Sequence, residues 1–260
     1  MNPPRPVALI TGASSGIGAA LARELAKRGW SLALLARRVE LLEALAAELP
    51  HSIAIPCDVA DRNAVQSAVR RAQEELGPID LAVANAGMSI PNHATKFKCA
   101  EAEQTIRVNL MGMIYLFDAV IPSMVERRRG QFAGVASVAG LRGLPTAGPY
   151  SASKAAMQAF LEATRIELAP YGIAVTTVNP GFVATPMTEK NRFRMPFLVQ
   201  PDRAARIIAD GLERRARVIE FPRRMSLVMR IARILPSAIY DRITAPFARR
   251  KKAVGDTLRP

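Results

Sequence analysis

The chain has 260 residues, half of them hydrophobic, which is enough for one sizeable α/β domain or at most two small ones. Two cysteines and two histidines without metal-ligand spacing argue against a disulfide framework and against a metal site. The segment before Val7 is too short for the apolar region of a signal peptide, and no run approaches the ~20 apolar residues of a membrane span, so we expect a cytoplasmic protein.

The net charge of +14 is concentrated in the last quarter of the chain. Residues 191–260 carry 17 Lys and Arg against 6 Asp and Glu, whereas residues 1–190 carry 19 against 16. A basic end that forms helices can meet anionic lipid, an acidic carrier protein or nucleic acid, or it can be a solvated face or an oligomer contact. Because the sequence has no groove-reading motif, we do not expect nucleic acid as a partner.

The first predicted elements are a short apolar strand, Val7–Thr11, a glycine-rich turn and a helix that ends at Gly29. Glycines in the turn permit a close approach to a ligand, and the free amides at the helix start point at an anion. The spacing G-x-x-x-G-x-G differs from the commoner dinucleotide fingerprint, and a plain strand-to-helix turn is an alternative. The loop residues expected to bind a cofactor are Gly12, Ser14, Ser15, Gly16, Ile17 and Gly18.

A second strand, Ser31–Ala36, is followed by Arg37 and Arg38. In a dinucleotide fold, an acidic residue at the end of this strand accepts hydrogen bonds from the adenosine ribose, whereas arginine suits a 2′-phosphate. Because Ala36 stands where the acid would be expected, the sequence favours NADP over NAD, with Ser14 and Arg38 assisting Arg37. Two solvated loop arginines are the alternative.

Two further strands are predicted at residues 52–57 and 78–84, with Asp61 capping the helix between them. Asp58 and Val59, after the third strand, are placed to contact the adenine, although Asp58 can also be only a turn residue. Strands that are apolar throughout imply a sheet covered on both faces. The sequence therefore predicts a doubly wound, Rossmann-type parallel sheet of about seven strands with helices on both faces.

A long helix is predicted at residues 101–125, and it contains Asn109 among apolar neighbours. Asn109 either holds a water near an active site or is a core amide satisfied by the backbone. The fifth strand, residues 131–137, ends in Ser137, at the edge where ligands meet open α/β sheets.

Tyr150 and Lys154 follow, four residues apart on a predicted helix and therefore on one face of it. An ammonium beside a phenol favours the phenolate, so Lys154 is expected to lower the pKa of Tyr150 and to prepare it for proton exchange. Alone, such a pair is common on ordinary helices.

The sixth strand, residues 173–179, leads through a Pro180-Gly181 turn into residues 188–198, which show no clear periodicity. This segment carries several apolar side chains, and we expect a mobile lid over a mostly apolar substrate pocket. The apolar residues of the lid are Phe193, Met195, Phe197 and Leu198. A basic helix at 201–215 and a short strand at 217–221 complete the predicted domain.

Together, these motifs resemble those of the short-chain dehydrogenase/reductase family over residues 7–187. The family's T-G-x-x-x-G-x-G is matched at residues 11–18, and its P-G turn at residues 180–181. Its N-A-G motif, active-site Asn and Ser, and Y-x-x-x-K are matched, in order, by Asn85, Ala86, Gly87, Asn109, Ser137, Tyr150 and Lys154. One departure is Ala84, where many relatives have Asn.

The resemblance implies that hydride passes between a nicotinamide cofactor and a carbonyl or alcohol carbon. Ser137 would bind the substrate oxygen, and Tyr150 would donate a proton to it. Lys154 would bind the nicotinamide ribose, and Asn109 would hold a water that links Lys154 to solvent. The other residues implied to contact the cofactor are Asn85, Ala86, Gly87, Tyr150, Pro180, Gly181, Val183 and Thr185.

A C-terminal extension, residues 223–260, is predicted to follow a catalytic domain at residues 1–222. Its first helix, residues 225–235, is apolar except for a narrow polar stripe of Ser226, Arg230 and Arg233. The extension could cap the substrate pocket, contact another subunit, or lie on a membrane surface through residues 225–252.

These features predict an NADPH-dependent carbonyl reductase, or the reverse alcohol dehydrogenase, that acts on a lipophilic ketone, 3-oxoacyl or steroid-like compound. We expect it to be a homo-oligomer, either a dimer or a tetramer. The alternative is an NADP-binding regulatory or scaffold protein that acts through its basic extension. The intact set of Asn109, Ser137, Tyr150 and Lys154 argues against that alternative.

Overall fold

The computed structural model describes residues 5–189, 191 and 195–249. In this part of the chain, a parallel seven-stranded sheet has the strand order β3-β2-β1-β4-β5-β6-β7. The strands are β1 (Val7–Thr11), β2 (Ser31–Ala36), β3 (Ser52–Pro56), β4 (Ile79–Ala84), β5 (Gly130–Val135), β6 (Ile173–Pro180) and β7 (Val218–Phe221).

Helices cover both faces of this sheet. They are α1 (Gly16–Lys27), α2 (Val39–Glu48), α3 (Arg62–Leu76), α4 (Cys99–Ile106), α5 (Gly112–Glu126), α6 (Gly148–Leu168), α7 (Pro186–Glu189), α8 (Pro201–Glu213), α9 (Arg223–Ile234) and α10 (Ser237–Arg249). As predicted, Asp61 caps α3, because its carboxylate accepts hydrogen bonds from the backbone amides of Asn63 and Ala64.

The alternation of side chains along β1 explains why the strands are apolar throughout. Ala8 and Ile10 belong to a core cluster formed with α1, α2 and α8, whereas Val7 and Leu9 belong to the opposite cluster, formed with α3, α5 and α6. Both faces of each central strand are therefore buried, and a polar residue on either face would lose its hydration. The predicted doubly wound sheet is confirmed.

The long helix predicted at 101–125 is interrupted. A π-helical turn, Arg107–Met111, separates α4 from α5 and has Asn109 at its centre. A π-turn adds one residue to the helical repeat and is often found at functional sites. Asn109 is fully buried, and the hydrogen bonds of its amide, described below, compensate for the wider turn.

The continuous helical stretch Cys99–Glu126 is long and apolar enough to cross a membrane by length and composition alone. In this fold it belongs to the core, because Met113, Leu116, Val120 and Met124 are buried against the sheet.

The parallel strands bring the predicted motifs to one edge of the sheet. The carboxyl end of β1 leads into the glycine-rich loop, β4 ends before Asn85, and Ser137 follows β5 by two residues. Adjacent parallel strands end side by side, so these segments meet where ligands bind open α/β sheets.

Candidate active site

The glycine-rich loop after β1 packs tightly on the segment after β4. Gly12 has a φ of +67°, and a Cβ there would lie 2.8 Å from the Cα of Ala86. A Cβ at Gly18 would collide with the Gly12 carbonyl and the Asn85 amide. Because glycine has no Cβ, the backbone can approach this closely and turn immediately into α1. The free amides at the start of α1 then face the cleft.

Thr11 fixes the two segments together, although the sequence did not single it out as a site residue. Its hydroxyl accepts hydrogen bonds from the backbone amides of Asn85, at 3.0 Å, and Ala86, at 3.1 Å. The Asn85 side chain in turn donates to the Thr11 carbonyl at 2.9 Å. Its position at the carboxyl end of β1 is the signal that could have identified Thr11.

The two arginines after β2 lie at one end of the cleft. The Arg38 guanidinium donates to the hydroxyls of Ser14, at 2.9 Å, and Ser15, at 2.5 Å. The Arg37 side chain is 62% exposed, and its guanidinium lies 3.7 Å from an Asp58 carboxylate oxygen. Asp58 also accepts a hydrogen bond from the Ala60 amide, so it is a turn residue that borders the cleft.

At the other end, Tyr150 and Lys154 lie one turn apart on α6, as predicted. Lys154 is 3% exposed, and its ammonium donates to the Val135 carbonyl at 2.7 Å. Its nitrogen is 5.8 Å from the centre of the Tyr150 ring. Burial disfavours the charged amine and lowers the pKa of Lys154 to about 7.

The prediction that the pKa of Tyr150 is lowered is wrong for this arrangement. Burial of the phenol raises its pKa above the ordinary value, and a hydrogen bond with the Ser137 side chain opposes that rise. With a pKa of about 7, the Lys154 amine is charged only part of the time at neutral pH, so it favours the phenolate less than a fully charged ammonium would. Tyr150 therefore keeps its proton at neutral pH, which is the state that a proton donor requires.

Ser137 is held by a chain of hydrogen bonds from α6 and β6. Its hydroxyl accepts a hydrogen bond from the Ala139 amide at 3.1 Å and caps a short 3₁₀ turn. Its carbonyl accepts a hydrogen bond from the Gln158 side chain at 2.7 Å, and the same Gln158 nitrogen donates to Asn179 at 2.9 Å. The sequence did not assign Gln158, although Tyr150, Lys154 and Gln158 repeat every four residues on one helix face.

Asn109 has the partners that the core-amide alternative predicted. Its carbonyl oxygen accepts a hydrogen bond from the Met88 amide at 2.7 Å. Its side-chain nitrogen donates to the Met88 carbonyl and to the Ser153 hydroxyl, each at 3.0 Å. The side chain therefore ties the π-turn to α6 and to the segment after β4, next to the catalytic end of the cleft.

One cavity of about 420 Å³ collects the predicted site residues. Those that line it are Gly12, Ser14, Ser15, Gly16, Ile17, Arg37, Arg38, Asp58, Val59, Asn85, Ala86, Gly87, Ser137, Tyr150, Lys154, Pro180, Gly181, Val183 and Thr185. Gly18 and Asn109 do not line it and instead support the residues that do.

The cavity also has walls that the sequence did not assign to the site. These are Ala36, Cys57, Met88, Val108, Val135, Ala136, Pro186, Met187 and Thr188. Burial raises the pKa of the Cys57 thiol to about 11, so this residue is a neutral, apolar part of the wall. Ala36 and Cys57 lie at the carboxyl ends of β2 and β3, and strand position alone could have indicated them.

The predicted lid lies only partly within the described residues. Phe193 lies outside them, whereas Phe197 and Leu198 are exposed. Val199, just after the segment, pairs with Val183 of the cavity wall. The lid itself stays a prediction. Within the described part of the chain, no group of three or more His, Cys, Asp or Glu is arranged to hold a metal ion.

A family profile described as short chain dehydrogenase matches residues 6–195. The chain belongs to the short-chain dehydrogenase family. Within the matched residues lie the glycine-rich loop and all four predicted catalytic side chains of this dehydrogenase.

Relatives of this short-chain dehydrogenase cover most of its length. An uncharacterized oxidoreductase of Myxococcus xanthus is 37% identical over 238 residues, which are 90% of this chain and 94% of the relative. A variant of actinorhodin polyketide ketoreductase, solved with NADPH, is 31% identical with a TM-score of 0.76, over 83% of this chain and 94% of the other.

A 3-ketoacyl-(acyl-carrier-protein) reductase from Brucella melitensis, solved with NADH, is 28% identical with a TM-score of 0.79. The match covers 84% of this dehydrogenase and 97% of the other chain. These likenesses confirm the predicted family, fold and enzyme class, so this dehydrogenase is an oxidoreductase. They give no support to the alternative of a regulatory or scaffold protein.

Proposed function

We propose that the protein is an NADPH-dependent reductase of a lipophilic carbonyl compound, such as a long-chain ketone, a 3-oxoacyl compound or a steroid-like compound. The observation that carries the proposal is the cleft itself. It has a protonated Tyr150 beside Ser137 and Lys154 at one end, and Arg37 and Arg38 at the other.

The residues along the cleft fit a dinucleotide with a 2′-phosphate. The amides at the start of α1 suit a pyrophosphate, as helix N-termini generally do. Arg37, Arg38 and the Ser14 hydroxyl suit the 2′-phosphate, and Ala36 has no carboxylate that would repel it. One structural neighbour was solved with NADPH and the other with NADH. The arginine pair supports NADPH in this chain, and the bound cofactor would supply the hydride.

The reducing direction is supported by the protonated state of Tyr150. Tyr150 donates its proton to the substrate oxygen while the Ser137 hydroxyl donates a hydrogen bond to the same oxygen. Lys154, with a pKa of about 7, gains and loses protons readily near neutral pH. We propose that Lys154 returns a proton to Tyr150 after each turnover, with Asn109 fixing the segment on which this exchange depends.

The lipophilic substrate is supported by apolar side chains that line the cleft or lie beside Ser137. Met88, Val108 and Met187 line the cavity. Immediately after Ser137, the apolar residues Val138, Leu141 and Leu144 form a cluster with Met225, Met229 and Phe182. The two structural neighbours are a polyketide ketoreductase and a 3-ketoacyl-(acyl-carrier-protein) reductase, which supports a substrate with a ketone on an acyl chain.

A panel of ketones of rising chain length, assayed with NADPH and with NADH, tests the proposal. Each buried methylene contributes about 0.8 kcal/mol, so kcat/KM should rise about threefold to fourfold per methylene until the pocket is filled. NADPH should be the better cofactor for every substrate. Equal turnover of small polar ketones or sugars would contradict the lipophilic substrate, and no turnover of any ketone would contradict the reaction.

We also propose that the protein is a cytoplasmic homo-oligomer, a dimer or a tetramer. The family membership supports an assembled enzyme. Sedimentation velocity of the purified protein measures its mass directly, and a monomer at all concentrations would contradict this part of the proposal.

A further inference from the structure

The helix α9 has two different faces. Met225, Ser226 and Met229 are buried against the domain. The opposite face carries Leu227, Val228, Ile231 and Ile234, which are 61%, 54%, 49% and 80% exposed. Residues 227, 231 and 234 are spaced i, i+4 and i+7, so they form one stripe on the helix surface.

The polar stripe predicted on this helix divides between the domain contact and the solvent. Ser226 is buried, and Arg230 bends back to the domain, where its guanidinium lies 2.9 Å from a carboxylate oxygen of Glu220. Ser226 therefore faces the domain, whereas the Arg230 side chain, although paired with Glu220, stays 63% exposed at the edge of this contact. The apolar residues, which an isolated domain would bury, are left at the surface.

The next helix, α10, repeats the pattern. Tyr240 is buried, and its hydroxyl donates to the Gly143 carbonyl at 2.5 Å, which fixes the helix to the domain. Ile239, Ile243 and Phe247 are 49%, 55% and 61% exposed and are spaced four residues apart. Each of the two consecutive helices therefore presents an apolar stripe at the surface.

The charges beside these stripes are almost all positive. Exposed arginines on α9 and α10 are Arg223, Arg224, Arg230, Arg233 and Arg242, whereas the exposed acidic residue on the described side chains of these helices is Asp241. A second copy of this surface would bring like charges together, which costs free energy. Apolar stripes flanked by arginines instead match a lipid surface with anionic headgroups.

We propose that α9 and α10 dock the enzyme on an anionic membrane surface, with the exposed apolar side chains in the acyl boundary and the arginines at the headgroups. The described residues 223–247 carry the proposal, and residues 250–252 of the predicted contact lie outside the described part of the chain. At 12 residues, α9 is too short to span a bilayer and lies in the plane of the interface.

The buried face of α9 connects this surface to the active site. Met225 and Met229 contact Val138, in the turn that Ser137 caps. A docked enzyme therefore has its substrate-side cluster directly above the lipid. This position suits a substrate that partitions into the membrane, although docking does not depend on the proposed reaction.

Vesicle flotation tests the docking surface without any turnover. We expect the protein to float with vesicles of phosphatidylcholine and phosphatidylglycerol in equal parts, to remain unbound with phosphatidylcholine alone, and to be released by added salt. The triple variant Leu227→Ser, Ile231→Ser and Ile234→Ser should bind the anionic vesicles more than about tenfold more weakly. Thermal melting of the variant checks that it folds.

The matched control is Leu41→Ser, because Leu41 is 48% exposed on α2, at the opposite end of the sheet from α9. This control should float like the unchanged protein. Three results would overturn the proposal: no flotation with anionic vesicles, equal flotation with neutral ones, or unchanged binding of the folded triple variant. If the unchanged protein does not float and the triple variant forms smaller oligomers, the surface is instead a contact with a second copy of the chain.

Discussion

At the scale of single residues, the chemistry depends on how completely Lys154 is removed from water. Its amine is buried and donates to the Val135 carbonyl, so its charged form loses hydration that one carbonyl does not replace. Near pH 7 the Tyr150 phenol therefore keeps its proton, whereas the Lys154 amine, with a pKa of about 7, exchanges between its charged and neutral forms. An active site in this state holds a proton for the substrate on Tyr150 and can exchange one through Lys154.

The burial of Lys154 predicts a specific dependence of stability on pH. The pKa of Lys154 falls from 10.5 to about 7 on folding, so between these values the unfolded chain binds a proton that the folded protein does not. Lys154 therefore makes the protein more stable as the pH rises through this window, by up to about 1.4 kcal/mol per pH unit. Below pH 7 the amine is charged in both the folded and the unfolded protein, so the free energy of unfolding is lowered by the full cost of charging the buried amine.

Replacing the amine tests this effect. In urea denaturation at pH 7, 8 and 9, the free energy of unfolding of Lys154→Met should exceed that of the unchanged protein most at pH 7, and the difference should shrink as the pH rises. The other ionisable groups are the same in both proteins and cancel in the difference. Parallel curves would show that Lys154 is not titrating in this window.

At the scale of elements, the loop between Ser137 and Tyr150 is tied to the C-terminal helices. Arg142 donates to the Arg233 carbonyl at 3.2 Å and to the Ser237 hydroxyl at 3.4 Å. Its guanidinium lies 4.5 Å from the centre of the Tyr240 ring, within the range of a cation–π interaction. Arg142 thus joins the end of α9 and the start of α10 to the loop that leads into α6, the helix that carries Tyr150 and Lys154.

Loss of this connection should affect substrate binding more than cofactor binding. In Arg142→Ala, we expect the KM for a long-chain ketone to rise about tenfold, because this loop carries part of the apolar cluster near Ser137. The affinity for NADPH should not change, since Arg142 does not line the cavity. Steady-state kinetics and a fluorescence titration of NADPH measure the two effects.

Arg62→Ala is the matched control, because Arg62 is an exposed arginine whose partner, Asp118, lies on α5. It should leave KM and NADPH affinity unchanged. If Arg142→Ala behaves like Arg62→Ala, the loop keeps its position without the contacts of Arg142 with the C-terminal helices, and this prediction is wrong.

The strands were predictable because each is a short run of apolar residues between turn signals, and burial on both faces requires such runs. The observed bounds differ by one or two residues, as at β5, which ends at Val135 and not at Ser137. The π-turn at residues 107–111 was not predictable, since one extra residue in a long helix leaves no clear mark in the spacing of its apolar residues.

The site was predictable where residue identity alone specifies the chemistry, as for Tyr150, Lys154 and the glycine-rich loop. It was missed where the role depends on contacts between distant segments. Thr11 and Gln158 form hydrogen bonds with backbone groups in the segments after β4 and β5, and no local pattern reveals these contacts. The sequence also could not predict which face of α9 is buried. Apolar residues lie on two faces of this helix, and only the assembled domain decides which of them it covers.

At the scale of the whole molecule, the two arginines at the cofactor end predict which dinucleotide stabilises the fold. A ligand that binds only the folded protein stabilises it by about 2.7 kcal/mol at a concentration of a hundred times its Kd. NADPH should therefore raise the Tm more than NADH at equal concentration. In the double variant Arg37→Ala and Arg38→Ala this difference should largely disappear, because the 2′-phosphate loses both cations.

Arg70→Ala is the control for the loss of charge, because Arg70 is exposed on α3 and donates to the nearby Ser67 hydroxyl. It should keep the full preference for NADPH. Equal stabilisation by the two dinucleotides in the unchanged protein would contradict the assignment of the arginine pair.

The central claim is that Tyr150 gives its proton to the oxygen of a lipophilic ketone as NADPH is oxidised. The most direct measurement is the rate of NADPH oxidation with a long-chain ketone for Tyr150→Phe, with Tyr171→Phe as a control at an exposed tyrosine. We predict that Tyr150→Phe lowers kcat by about 10²-fold or more while NADPH binding stays within about twofold, and that the control is unchanged. A Tyr150→Phe variant that retains most of the rate would contradict the account.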